Sequence, residues 1–163
     1  MRKPLVVAIF LMLGSGPVSA AWAANSSANG STALALAAVV GQHSSLLTAQ
    51  EKNALARLFN GEVNLGIPAS QKITVETSGV VCRMSNVDIA ERSCEVTFGS
   101  QKITLKGREA NELNATASAA GVASEGAAGT IFTSFSHLAC TIDPQEIKQK
   151  TGGGAKCTFD TEQ

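Results

Sequence analysis

The sequence predicts an α+β domain whose helices pack on an antiparallel sheet formed by a four-stranded meander and a C-terminal strand pair. From residue 71 onward, apolar residues alternate with polar ones over several short stretches, as they do in half-buried antiparallel strands. Helical spacing of apolar residues appears before and after the first group of these stretches. Four cysteines fall on the predicted strands, which indicates two disulfides in an exported chain. Such an arrangement is typical of the α+β class.

The first 20 residues have the layout of a secretory signal peptide. Arg2 and Lys3 precede an apolar run over residues 5–13, which is too short to span a bilayer. Val18-Ser19-Ala20 offers a cleavage site of the small-x-small type, and Ala21-Trp22-Ala23 offers a second one. We therefore predict a signal peptide over residues 1–20 and no stable membrane insertion after processing.

The next segment has no clear place in the predicted domain. Residues 25–32 are polar, rich in turn-forming residues and without periodicity, which is typical of a flexible linker. Residues 33–40 are apolar enough for a short helix, but the sequence names no packing partner for it. The predicted organisation is a flexible segment over residues 21–44, followed by a single disulfide-bonded α+β domain over residues 45–163.

Three further helices are predicted from start and stop signals. Thr48 and Glu51 form a capping box at the start of a helix over about residues 49–60. The apolar face of this helix consists of Leu55, Leu58 and Phe59. A second helix, over residues 108–120, carries small and apolar residues at helical spacing and ends before Gly121. Asp143 and Pro144 supply the N-cap and the first-turn proline of a third, short helix.

The strands are predicted from alternating inward and outward residues. The inward residues of the meander are Ile73, Val75, Val80, Cys82, Met84, Cys94, Val96, Phe98, Ile103 and Leu105. Gly99 begins a two-residue turn that pairs Val96 with Ile103 and Cys94 with Leu105. The pentapeptide Ser-Gln-Lys-Ile-Thr occurs at residues 70–74 and 100–104, but the flanking sequences differ, so we interpret it as two similar strands rather than a repeat architecture. The C-terminal strand pair is predicted over residues 131–142 and 156–160.

The four cysteines are predicted to form two local disulfides. Spacing alone leaves three connectivities open. The predicted registers place Cys82 opposite Cys94 and Cys140 opposite Cys157, with all four side chains on the buried face. Each of these disulfides closes a short loop, for which the chain-entropy model gives about 3 kcal/mol of stabilisation. The sequence has no Cys-x-x-Cys motif, which argues against a zinc or thioredoxin-like redox site.

The charge balance argues against a nucleic-acid partner. The 13 basic and 13 acidic residues of the chain cancel, and removal of the signal peptide takes away two basic residues and no acidic one. Aromatic residues make up 4 % of the chain and tyrosine is absent, so the side chains that usually stack on bases or sugars are scarce.

Few residues suggest catalysis. The sequence lacks the Gly-x-Ser-x-Gly, His-Glu-x-x-His and complete phosphate-loop motifs. His137 falls on the outward face of its predicted strand, near Ser134 and Ser136, so a Ser, His and carboxylate set is an alternative. We interpret His137 as a surface histidine without a role in catalysis or folding, and we predict no cofactor and no metal.

The loop over residues 85–92 is the most distinctive predicted surface. It lies inside the Cys82–Cys94 disulfide and carries Val87, Asp88 and Ile89 at its tip, where a purely solvated loop is polar. A loop held by a disulfide binds a partner at a lower ordering cost, so these three residues are the predicted binding site. In the alternative interpretation, Val87 and Ile89 pack back under the first helix of the domain.

These observations predict a bacterial-type envelope protein, periplasmic or secreted, that acts without catalysis as an interaction or inhibitor-like domain. Its expected partner is another envelope protein. A small periplasmic hydrolase that uses His137 is one alternative, and a purely structural envelope protein is another.

The first prediction concerns processing. Because the charged, apolar and small-residue regions occur in the order of a signal peptide, the exported protein is expected to begin at Ala21 or Ala24. Intact mass spectrometry of protein from the periplasm or the medium measures this. Protein that keeps Met1 and is found in the membrane fraction would contradict the prediction.

Overall fold

Seven strands form one antiparallel sheet and four helices complete the fold within residues 24–149 and 153–161, which this computed structural model describes. The strands are β1 (Ala24–Asn29), β2 (Ile73–Ser85), β3 (Ser93–Phe98), β4 (Gln101–Lys106), β5 (Ser124–Ala127), β6 (Thr130–Ile142) and β7 (Ala155–Thr161). The helices are α1 (Gly30–Gly41), α2 (Ala49–Phe59), α3 (Gly107–Ala119) and α4 (Pro144–Gln149). This architecture confirms the predicted α+β class.

The two longest strands, β2 and β6, lie at the centre of the sheet. The strand order is β1-β7-β6-β2-β3-β4, and β5 pairs with β6 outside this path. The predicted hairpin register is confirmed in β3 and β4, where Val96 pairs with Ile103 and Cys94 with Leu105. Gly99 begins the connecting turn with a φ of +58°, a backbone conformation that favours glycine.

The first two strands of the predicted meander are the two halves of β2. Its alternating buried residues are Ile73, Val75 and Thr77 in the first half and Val80, Cys82 and Met84 in the second, and the last residue, Ser85, is buried as well. The alternation therefore changes parity at Ser78 and Gly79, and in the sequence this change resembles a strand boundary. β6 changes parity at the same level, between Phe135 and Leu138, so the register of β2 with β6 continues across it.

The N-terminal segment differs from the prediction. The polar residues of β1 pair with β7, from Ala24 opposite Thr161 to Asn29 opposite Lys156, so the sheet satisfies backbone groups that the sequence left without partners. α1 follows directly and buries most of its apolar residues against β7, α2 and α3. The structure thus corrects the predicted flexible segment 21–44 from residue 24 onward. Residues 21–23 and the predicted signal peptide 1–20 lie outside the described residues.

The helices that contact the sheet lie on one face of it. α1 packs mainly on β7, and α3 packs on β3 and β4, while α2 packs on α1. The Thr48 and Glu51 capping box at the start of α2 is confirmed, and Leu55 and Leu58 are buried as predicted. Phe59 is 52 % exposed, so its place on the buried face of α2 was predicted wrongly. None of the helices in the described part of the chain is long and apolar enough to cross a membrane.

Both predicted disulfides are confirmed. Cys82 is bonded to Cys94 and Cys140 to Cys157, and the Cα atoms of each pair are 4.0 Å apart. All four cysteines are fully buried on the helix side of the sheet. The two disulfides are compatible with an extracellular or periplasmic protein.

The second prediction tests whether α1 is part of the core rather than of a flexible segment. Leu36 is fully buried, so Leu36→Ala is expected to lower the free energy of unfolding by about 2–4 kcal/mol through lost burial and a residual cavity. Leu46→Ala is the matched control, because Leu46 is 72 % exposed and its truncation is expected to change stability by less than about 0.5 kcal/mol. Denaturant unfolding of both variants measures the difference. Equal stability of the two would mean that α1 is not part of the core.

Candidate functional site

Residues 86–92, here called the tip loop, connect β2 to β3 and contain the predicted binding residues. The Cys82–Cys94 disulfide closes the two strands at the base of the loop. Just above it, Arg83 and Ser93 form the last register pair between β2 and β3. The path of the tip loop is therefore fixed at both ends by covalent and sheet constraints.

Local hydrogen bonds hold the backbone of the tip loop. The buried Ser85 Oγ accepts hydrogen bonds from Val87 N at 3.2 Å and Asp88 N at 3.0 Å. Asp88 Oδ1 accepts one from Ala90 N at 2.8 Å and so caps a short 3₁₀ turn over Ile89–Glu91. Asn86 N donates to a backbone oxygen of the β5–β6 turn. These bonds stabilise one loop conformation before any partner binds.

Arg92 connects the end of the tip loop to the rest of the domain through hydrogen bonds. Its Nε donates to Ser85 O at 2.9 Å, across the loop, and its Nη1 donates to Asn111 Oδ1 at 3.2 Å on α3. The guanidinium thus joins β2, the tip loop and α3. The sequence alone does not reveal this role of Arg92, because only the fold brings Asn111 next to it.

The apolar side chains at the tip point into solvent. Val87 is 90 % exposed and Ile89 is 64 % exposed. The alternative in which they pack under the first helix of the domain is therefore wrong. The third predicted binding residue, Asp88, is exposed as well, and one of its carboxylate oxygens already accepts the hydrogen bond from Ala90.

A polar cavity of about 510 Å³ lies beside the tip loop. Its wall is formed by Arg83, Ser85, Ala90, Glu91, Arg92, Ser93, Lys106 and Thr130. These residues carry no recognised sequence motif. The predicted strand registers nevertheless align Arg83 with Ser93 and Ser93 with Lys106, and the structure has both pairs.

His137 lies at the parity change in β6. Its φ is +50°, a left-handed conformation that is uncommon for residues other than glycine. The pairing of β6 with β7 shifts by one residue between Ser136 and Ala139, so His137 belongs to a β-bulge. Its imidazole is largely exposed, and Nδ1 lies 3.0 Å from Asp160 Oδ2.

A shallow cavity of about 400 Å³ adjoins His137. The buried Thr77 hydroxyl borders it and has no hydrogen-bond partner, while the Ser78 hydroxyl donates to Thr97 O. Within the described residues, no serine or threonine hydroxyl is bonded to the imidazole. The predicted alternative catalytic set therefore has a histidine and a carboxylate in contact, but no hydroxyl joined to them.

The described residues contain no group of three or more His, Cys, Asp or Glu side chains arranged to hold a metal ion. All four cysteines are in disulfides, so none is free for metal binding or redox chemistry. In the described part of the chain, charged and polar side chains lie close together on the tip loop with its cavity and at the His137 bulge. No protein-family model, curated protein or solved structure matches this chain.

Proposed function

We propose that this protein is an exported envelope protein that binds another protein through the tip loop and catalyses no reaction. The observation that carries the proposal is the 90 % exposure of Val87 on a loop whose backbone is already hydrogen-bonded within the domain. Burying an exposed aliphatic side chain at an interface contributes about 1.5–3 kcal/mol. A loop held in one conformation loses little entropy on binding, so more of that contribution appears as affinity.

The proposed location outside the cytoplasm is supported by independent features. The N-terminal sequence has the layout of a signal peptide, and two fully buried disulfides stabilise the domain. A disulfide-bonded domain with an apolar loop that projects into solvent also suits an inhibitor-like role, in which the loop enters a cleft of the partner.

The two alternatives have less support. The hydrolase alternative rests on the 3.0 Å contact between His137 and Asp160, which orients the imidazole as a catalytic carboxylate would. However, a nucleophile bonded to the imidazole would be the defining feature of such a site, and the described residues provide none. A purely structural role gives no reason for Val87 and Ile89 to project into solvent.

The third prediction is that the apolar tip contributes little to stability. Val87→Ser and Ile89→Ser are expected to change the free energy of unfolding by less than about 0.5 kcal/mol, because both side chains are exposed. The matched controls Val80→Ser and Ile73→Ser remove fully buried side chains, and we expect losses of about 2–4 kcal/mol. Thermal and urea unfolding measure all four variants. A loss at the tip as large as in the controls would show that the tip belongs to the core.

The fourth prediction concerns binding. The double variant with Val87→Ser and Ile89→Ser is expected to lose a specific protein that the wild type captures from envelope extracts. The purified pair should then bind at least about tenfold more weakly. Leu46→Ser is the control, since it removes an apolar side chain that is 72 % exposed outside the tip loop. Undiminished binding by a folded tip variant would rule out the tip loop as the binding site.

A further inference from the structure

The cavity beside the tip loop is bordered by three cations. Arg83, Ser93 and Lys106 are register partners on β2, β3 and β4, so they lie side by side across the sheet. Neighbouring strands are about 4.8 Å apart. Arg83 and Lys106 are therefore two strand spacings apart, with Ser93 between them. Arg92 borders the same cavity from the end of the tip loop.

The protein's own carboxylates leave these cations without ion pairs. Between described residues, the ion pairs are Arg57 with Glu62, Lys72 with Asp143 and Lys102 with Glu95. None of these pairs includes a cation of the cavity. Among the described residues that line the cavity, Glu91 is the one carboxylate, so the site carries excess positive charge in a chain whose formal net charge is zero. Such a site attracts an anionic group.

Both guanidinium groups are held before an anion binds. Arg83 Cζ lies 5.4 Å from the centroid of the Phe132 ring, within the range of a cation–π contact. Arg92 uses Nε and Nη1 for its bonds to Ser85 and Asn111, and its remaining N–H groups are left to donate to a ligand. Held guanidinium groups match the planar geometry of a carboxylate and lose little entropy when they bind one.

The position of Lys106 is unfavourable for helix stability. Lys106 is the N-cap residue of α3 and makes no side-chain cap hydrogen bond. Ser, Thr, Asp and Asn are preferred at this position, and a cation beside a helix N-terminus is disfavoured by the helix dipole. A local conflict of this kind is typical of a residue that serves binding rather than stability.

We propose that this cavity binds the carboxylate of an acidic residue in the partner, whose neighbouring apolar residues contact Val87 and Ile89. The inference rests on the proposed function, because it names the chemistry of the same partner. Ala90 and Glu91 line the cavity and directly follow Ile89 in the tip loop, so one short peptide segment reaches both surfaces. A partner segment that combines acidic and apolar residues complements both the cationic cavity and the apolar tip.

The fifth prediction uses two probe peptides, acetyl-Leu-Glu-Leu-amide and acetyl-Leu-Gln-Leu-amide, titrated into the isotope-labelled processed protein. Backbone amide shifts in the tip loop and at Lys106 report binding. The Glu peptide is expected to bind about fivefold more tightly than the Gln peptide, the effect of a partly exposed charge contact. Lys106→Ser should remove most of this preference, and Glu91→Gln should increase it because it removes the opposing charge.

The same variants separate loss of binding from loss of folding. Lys106→Ser supplies a preferred N-cap residue, so its Tm is expected to rise by about 2–4 °C while its preference for the Glu peptide falls. Equal affinity for the two peptides, or the absence of shifts up to about 10 mM peptide, would overturn the inference. Tighter binding of inorganic phosphate than of the Glu peptide would also overturn it, because the cavity would then be a site for free anions.

The outcomes also distinguish this inference from the proposed function. If the Val87→Ser and Ile89→Ser double variant loses affinity for both peptides while Lys106→Ser keeps the Glu preference, the tip loop binds but the cavity assignment is wrong. If the double variant binds both peptides as the wild type does, the apolar tip plays no part and the proposed function fails. Loss of affinity in the double variant together with loss of Glu preference in Lys106→Ser supports both.

Discussion

The close approach of two alanine-bearing helices to two buried disulfides is the packing on which the fold depends. Aromatic residues make up only 4 % of the chain, so few large side chains are available to fill the interior. Ala33 of α1 and Ala110 of α3 are fully buried, and their backbone oxygens lie 3.4 Å from the sulfurs of Cys157 and Cys94. Alanine brings each helix close to the sheet, and the compact disulfide fills the space below it. A larger residue at either alanine would overpack this layer.

Each helix covers one half of the sheet together with one disulfide, and the halves meet where β2 and β6 change parity. α1 covers the half that contains Cys140–Cys157, and α3 covers the half that contains Cys82–Cys94. Because both central strands change parity at the same level, each half turns apolar residues toward its own helix without a break in the register. The positive φ of His137 lies at this boundary, so the bulge accounts for it without a catalytic role.

The sequence predicted what depends on local periodicity and missed what depends on a distant partner. The β3–β4 register and both disulfides follow from period-two alternation and a turn glycine, and they are confirmed. β1 is polar and becomes a strand only because β7, from the other end of the chain, pairs with it. The prediction divided β2 into two strands, because the sequence of β2 does not show that β6 changes parity at the same level and keeps the register continuous. The apolar residues of the tip loop are exposed, as the binding-loop interpretation of the sequence requires. The contact of Arg92 with Asn111 could not be predicted, because it depends on where α3 packs.

The tip loop takes its rigidity from the same packing that stabilises the core. The disulfide under α3 joins β2 to β3, and Asn111 of α3 accepts a hydrogen bond from Arg92, so the loop is attached to this half of the domain at both ends. A binding surface built in this way has little conformational entropy left to lose. Three cations without an ion pair in the described part of the chain, Arg83, Arg92 and Lys106, and the exposed side chains of Val87 and Ile89 therefore lie on a part of the domain that covalent and hydrogen bonds constrain. This placement supports the proposed binding of a partner, because the groups that would contact the partner need little reordering.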